Sequence, residues 1–143
     1  MEWVYKGKIV TDLSDEVFGF VYCITYTDGT KYIGKKQVIS EVTLPALKSG
    51  VQRPNSRRIG KNKNGKRVHY DVVTKPMKWR DYEGSTQFSE GKTIADKEML
   101  EVAHSKRYLT YLEAKYQFSL GVLEDETYLN SNILGRFYDN IKD

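Results

Sequence analysis

Tyr22 and Tyr32 stand on either side of Asp28-Gly29, a dipeptide that closes tight hairpins because glycine tolerates the positive φ such turns need. Side chains two apart on a strand share a face, so Tyr32, Gly34 and Lys36 point the same way, with Tyr22 facing them from the partner strand. A phenol can hold, give up or orient a proton, and an ammonium attracts phosphate. Glycine at position 34 leaves open space above the sheet, where a phosphate backbone can approach closely. The plain alternative is sheet chemistry, since tyrosine favours strands. A carboxylate completes the set. Leu109, Glu113, Tyr116 and Leu120 recur on one face of a helix. An acid on an apolar face is costly unless it meets a cation or a metal ion. Otherwise Glu113 simply flanks a stripe centred on Leu109 and Leu112 and meets a lysine.

The elements that must position these groups are partly visible. Gly19 to Thr27 is a run of aromatic and β-branched residues and predicts a strand, returning from Thr30 through Ile33 to Lys36 or Val38. The opening stretch, Glu2 to Val10, has strand-like content suited to a sheet edge. Between Glu41 and Lys78 the pattern breaks into a long loop punctuated by glycine, proline and asparagine. Within it Asn64-Gly65 predicts a hairpin turn, with Val68 to Val73 as the outgoing strand. Lys97 to Ala103 predicts a strand. Ser105 is a good N-cap for a helix from Lys106 to about Leu120, stopped by Gly121. Strand, strand, arm, strand, helix reads as α+β with a small antiparallel sheet.

A chain of 143 residues is most simply one domain, here 1–143, with an insertion at about 41–80. The net charge of +4 conceals an uneven distribution. Lys31 to Arg80 holds 14 basic and two acidic residues, a net of +12, while the remainder holds nine basic and 17 acidic, a net of −8. That division suits one surface for a polyanion and a body that avoids it. Arg53, Arg57, Arg58, Lys61, Lys63, Lys66, Arg67, His69 and Arg80 in the insertion, with Lys35 ahead of it, are the candidate phosphate contacts. One cysteine, Cys23, excludes an internal disulfide and reads as an inert thiol on the first strand. With no signal peptide and no membrane-length apolar run, the expectation is a soluble, cytoplasmic protein. His104, just before the helix cap, reads as structural. Neither histidine has zinc-site spacing, and Trp79 and Tyr82 read as core or hinge packing residues, with stacking on bases as the alternative.

Phe20-Val21-Tyr22, then nine residues, then Tyr32-Ile33-Gly34, resembles the paired motifs of the GIY-YIG nuclease family. Trp79-x-x-Tyr82-x-Gly84-Ser85, Tyr111-Leu112-Glu113 and Tyr128-Leu129-Asn130 follow in the order of short, phage-encoded members similar to homing endonucleases. The resemblance spans roughly residues 18 to 135 and implies a small sheet flanked by helices. It implies a metal-dependent DNA endonuclease that hydrolyses phosphodiester bonds. By the same resemblance Tyr22 is the general base or its assistant, and Tyr32 positions water or phosphate. Glu113 then holds one divalent ion, Mg2+ or Mn2+, and Asn130 braces the site. The family's usual arginine, on a helix soon after the second motif, has no counterpart before Arg53. Lys36 stands in for it, or a basic residue of the insertion does. The implied partner is double-stranded DNA, with no membrane and no small-molecule cofactor. Cutting both strands from one site requires a homodimer on DNA or rebinding. The competing function is a nuclease-like protein that binds nucleic acid without cutting it.

Overall fold

The computed structural model describes residues 1–44, 56–61 and 67–140, with side chains everywhere among these except at 43, 56–61 and 67–72. In chain order the elements are β1 (Val4–Tyr5), β2 (Lys8–Ile9), β3 (Gly19–Tyr26), β4 (Lys31–Gln37), β5 (Ile39–Leu44), β6 (Ser56–Lys61), β7 (Arg67–Pro76), β8 (Ile94–Ala103), α1 (Lys106–Ser119), β9 (Asn132–Ile133) and β10 (Phe137–Tyr138). They divide into a unit of Met1–Val38 with Lys78–Asp143, and a unit of Ile39–Met77.

The first unit is α+β. Its five-stranded sheet has the order β2-β1-β8-β3-β4. β3 lies between β4 and β8 and pairs antiparallel with both. Its sequence GFVYCITY is almost wholly buried, as a strand covered on two faces must be. Asp28 fixes the turn into β4 by accepting from the Thr30 backbone N–H and hydroxyl, and by an ion pair with Lys92. Gly29 supplies the required positive φ of +89°.

An all-antiparallel sheet was the expectation; the sheet is mixed. β1 and β2 form a hairpin, and β1 pairs parallel to β8 through Val4↔Glu98 and Tyr5↔Met99. A pairing between segments more than ninety residues apart leaves no local signature. Among the described residues there is one α-helix, not several flanking the sheet. The Ser105 side chain accepts from the Tyr108 N–H at its start, and Gly121 at φ +61° ends it, as the sequence signals require. No described helix is long and apolar enough to cross a membrane.

The two faces of β3 bury different things. Gly19 lies against Leu109 of α1, and Leu109 and Leu112 are buried, so the odd-numbered face is the helix face. The even-numbered face carries an aromatic cluster. Phe20 and Tyr22 meet the Trp3 ring edge-on at 5.0 and 5.4 Å, and Trp79 and Tyr82 add to it. Lys97 is buried in the same cluster, over the Trp3 ring, and donates to the carbonyls of Met1 and Arg80.

The second unit is a three-stranded antiparallel sheet, order β5-β7-β6, with Val42 opposite Val73 and Ile59 opposite His69. The expected strand Val68 to Val73 lies within β7, while β5 and β6 replace the rest of the expected loop. Glycine and two arginines mask β6 in the sequence, and β5 is fixed by pairing with β7 more than twenty-five residues away. The Asn64-Gly65 turn lies outside the described residues, as do Arg53, Lys63 and Lys66.

Candidate active site

Tyr22 and Gly34 are direct partners across β3 and β4. A Cβ at position 34 would sit 2.5 Å from the Tyr22 hydroxyl and 2.9 Å from the Tyr32 ring. Gly34 therefore does not hold open space for a phosphate, as expected; the Tyr22 phenol already fills it. Tyr22 is 1% exposed and reaches under Gly84, whose backbone has φ +93°. Burial pushes its phenol far above the ordinary tyrosine range. Neighbouring Tyr82 raises it further, by repulsion between the two ionised phenols and by accepting a hydrogen bond from the Tyr22 hydroxyl. The Tyr22 and Tyr32 rings are 6.2 Å apart. Burial raises Tyr32 as well, and the charge of Glu113 adds to this, but a hydrogen bond from Ser85 works the other way, favouring the phenolate.

α1 covers the helix face of the sheet, opposite the two phenols, yet Glu113 reaches their neighbourhood around the free edge of β4. Its carboxylate accepts from the Lys35 backbone N–H, and Lys35 Nζ lies 3.8 Å from Oε1. Burial raises the Glu113 carboxyl above the ordinary range, and the two Lys35 groups offset this only in part. Glu113 also flanks the Leu109–Leu112 stripe and meets a lysine, as the plain structural reading of it expects.

The same edge needs capping, because an edge strand leaves half its backbone groups unpaired. Asn130, buried, accepts from Ile33 N–H at 3.0 Å and donates to Ile33 C=O at 2.8 Å. Gln117, also buried, donates to that carbonyl at 3.1 Å. Lys31 is paired by the backbones of Thr127 and Leu129.

Tyr32, Lys35, Glu113, Gln117 and Asn130 line one cleft of about 480 Å3, together with Ser85, Thr86, Gln87 and the turn Ser131–Gly135. Tyr22 lies behind this wall. Lys36 shares the phenol face but does not line the cleft; its ammonium sits 4.7 Å from the centre of the Tyr82 ring. Arg80 is held between Asp12 and the Trp79 ring. The side chains of Arg57, Arg58, Lys61, Arg67 and His69 lie outside the described residues. His104 bonds the Glu16 carbonyl, and half-buried Cys23 has its thiol pushed up by burial. Among the described residues no cluster of three acidic, histidine or cysteine side chains could hold a metal ion, so any ion here relies on Glu113.

The sequence reading gave Tyr82 a packing role only, and gave Ser85 and Gln117 none. The first two belong to the W-x-x-Y-x-G-S stretch, whose fixed spacing was the available signal. Gln117 lies one turn beyond Glu113 on α1 and was legible only as a polar residue on that face.

No curated protein and no solved structure matches the chain. The family model described as "Putative endonuclease segE, GIY-YIG domain" matches residues 3–133. The paired tyrosine strands, the glutamate reaching them and a match over nearly the whole length agree: the chain belongs to the GIY-YIG nuclease family.

Proposed function

We propose that the protein is a metal-dependent DNA endonuclease that hydrolyses a phosphodiester bond in the cleft beside β4. The observation that carries this reading is that Tyr32, Glu113 and Asn130 of a GIY-YIG chain line one cleft, with Tyr22 directly behind it. The two phenols share the handling of the attacking water. Tyr32 acts from the cleft wall, where the Ser85 hydrogen bond eases loss of its proton. Tyr22, buried behind that wall, assists through Tyr32, whose ring lies 6.2 Å from its own. Asn130 and Gln117 hold the Ile33 backbone, and hence the strand between Tyr32 and Lys35, in place. Lys36, on the phenol face, adds positive potential that favours the phenolate.

Glu113 suits one hard divalent ion, Mg2+ or Mn2+. It is an oxygen donor, desolvated, incompletely compensated, and set in a polar cleft roomy enough for retained waters. Such an ion supplies neutralisation of the charge developing on the leaving oxygen. The substrate is double-stranded DNA, gripped through backbone phosphates by the basic residues from Arg53 to Arg80.

The test is cleavage of supercoiled plasmid with Mg2+ by wild type, Glu113→Ala, Tyr22→Phe and Tyr32→Phe, each shown to be folded by circular dichroism. Each substitution should slow cutting by about 100-fold or more. Unchanged cutting in Glu113→Ala would remove the mechanism. Salt-dependent DNA binding with no cutting under any divalent ion would leave the chain a binding protein; the lack of an arginine among the described cleft-lining residues is what favours that outcome.

A further inference from the structure

Among the described residues two charged side chains line the cleft, Lys35 and Glu113, and they face each other. Lys35 is parked there by a built contact. Its ammonium donates to Thr110 Oγ1 at 3.2 Å, and the Thr110 hydroxyl donates its own proton to the Lys106 carbonyl at 3.2 Å, which leaves its lone pairs turned toward the lysine. The ion pair to Glu113 is longer, 3.8 Å, with Lys35 37% exposed, so it is weak and easily exchanged. Lys36, the neighbouring cation, is held on the opposite face of the strand over Tyr82.

The charges in this cleft do not favour either ligand alone. A divalent ion at Glu113 would sit beside the Lys35 ammonium, and a phosphodiester alone would face the Glu113 carboxylate. Both arriving together satisfy every group: the ion takes Glu113, and Lys35 swings to a phosphate oxygen. We propose that Lys35 is an exchange cation, which occupies Glu113 in the free protein and transfers to the DNA phosphate when a divalent ion arrives, so that metal and DNA bind cooperatively. This rests on the reading of Glu113 as the carboxylate of a metal site. It places in the cleft, from β4 itself, the phosphate contact that no arginine among the described cleft-lining residues provides.

The experiment is calorimetric titration with Ca2+, with and without a short mixed-sequence duplex, on wild type, Lys35→Met, Lys35→Arg and Glu113→Gln. Heat that depends on Glu113 reports the site, because Glu113→Gln subtracts ions taken up by the duplex. Wild type should bind Ca2+ at least about tenfold more tightly with duplex than without, the order expected for one close charge contact. Lys35→Met should bind Ca2+ about tenfold more tightly than wild type without duplex, and should lose most of the gain from duplex. Lys35→Arg keeps the charge and should keep the coupling. Unchanged or weaker Ca2+ affinity in Lys35→Met, with the duplex gain intact, would overturn the exchange while leaving the metal site standing. Ca2+ binding without duplex that survives Glu113→Gln would overturn both.

Discussion

Glu113 is placed where a carboxylate gains little from folding. Burial raises its pKa above the ordinary 4.5, and the Lys35 ammonium and backbone N–H recover only part of the cost. The linkage follows from that direction. The folded state prefers the protonated form, so whatever stability Glu113 contributes is fully present below the unfolded pKa and lost as pH rises through the higher folded value. At neutral pH the ionised side chain is therefore a burden on the fold. Glu113→Gln keeps an oxygen to accept from Lys35 N–H and should melt at or above the wild-type temperature at pH 7, by about 2–4 °C for each kcal/mol relieved. The difference should shrink as the pH is lowered toward the ordinary carboxylate range. Scanning calorimetry at several pH values checks this, and a lower melting temperature at pH 7 would mean the carboxylate supports the fold. The two phenols behave alike: burial favours their neutral forms, and proton transfer from them requires positive charge brought to the cleft.

At the scale of elements, β4 carries the site. It is an edge strand, and its free side is closed by side chains rather than by another strand over most of its length. Asn130 mimics a neighbouring strand by satisfying both groups of Ile33, and Gln117 adds a second donor to the same carbonyl. Asn130→Ala leaves a buried N–H without its partner and should cost about 1–3 kcal/mol. Gln117→Ala should cost less, because Asn130 still serves the carbonyl. The double variant should lose more than the two single losses combined, since each amide shelters the oxygen when the other is gone. Urea denaturation of the three variants measures this coupling, and simple additivity would show that the two amides act independently. The helix that supplies Gln117 was legible from its Ser105 cap and Gly121 stop, because both signals are local. Its contact with β4 was not, because Gln117 and Ile33 are 84 residues apart in the chain.

For the whole molecule, the charge division is the clearest feature of the sequence: a net +12 from Lys31 to Arg80 against −8 elsewhere. Most of that charge falls within the three-stranded unit of Ile39–Met77. If this unit grips DNA by its phosphates, replacing Lys61, Lys63, Lys66 and Arg67 with glutamine should weaken binding. It should also flatten the dependence on log salt by about 0.9 for each phosphate no longer neutralised. Fluorescence anisotropy across a salt series gives the slope, and an unchanged slope would take these four residues out of the interface. The outgoing strand Val68 to Val73 was legible from its β-branched residues and lies within β7; that Ile39–Leu44 and Ser56–Lys61 pair on either side of it came only from the fold.

The sequence alone determined the Asp28-Gly29 hairpin, the register that sets Tyr22 near Tyr32, the helix bearing Glu113 and the localised charge. Each of these depends on neighbours along the chain or on composition. Tertiary structure decided what those residues meet. Alternation along β4 placed Lys36 with the phenols, but the cleft forms at the edge of the strand, where a helix side chain comes around it, and there the facing cation is Lys35. Glycine at 34 promised empty space until packing put the Tyr22 ring into it. Strand periodicity states which side a residue faces; only the packing of distant segments determines what fills that side.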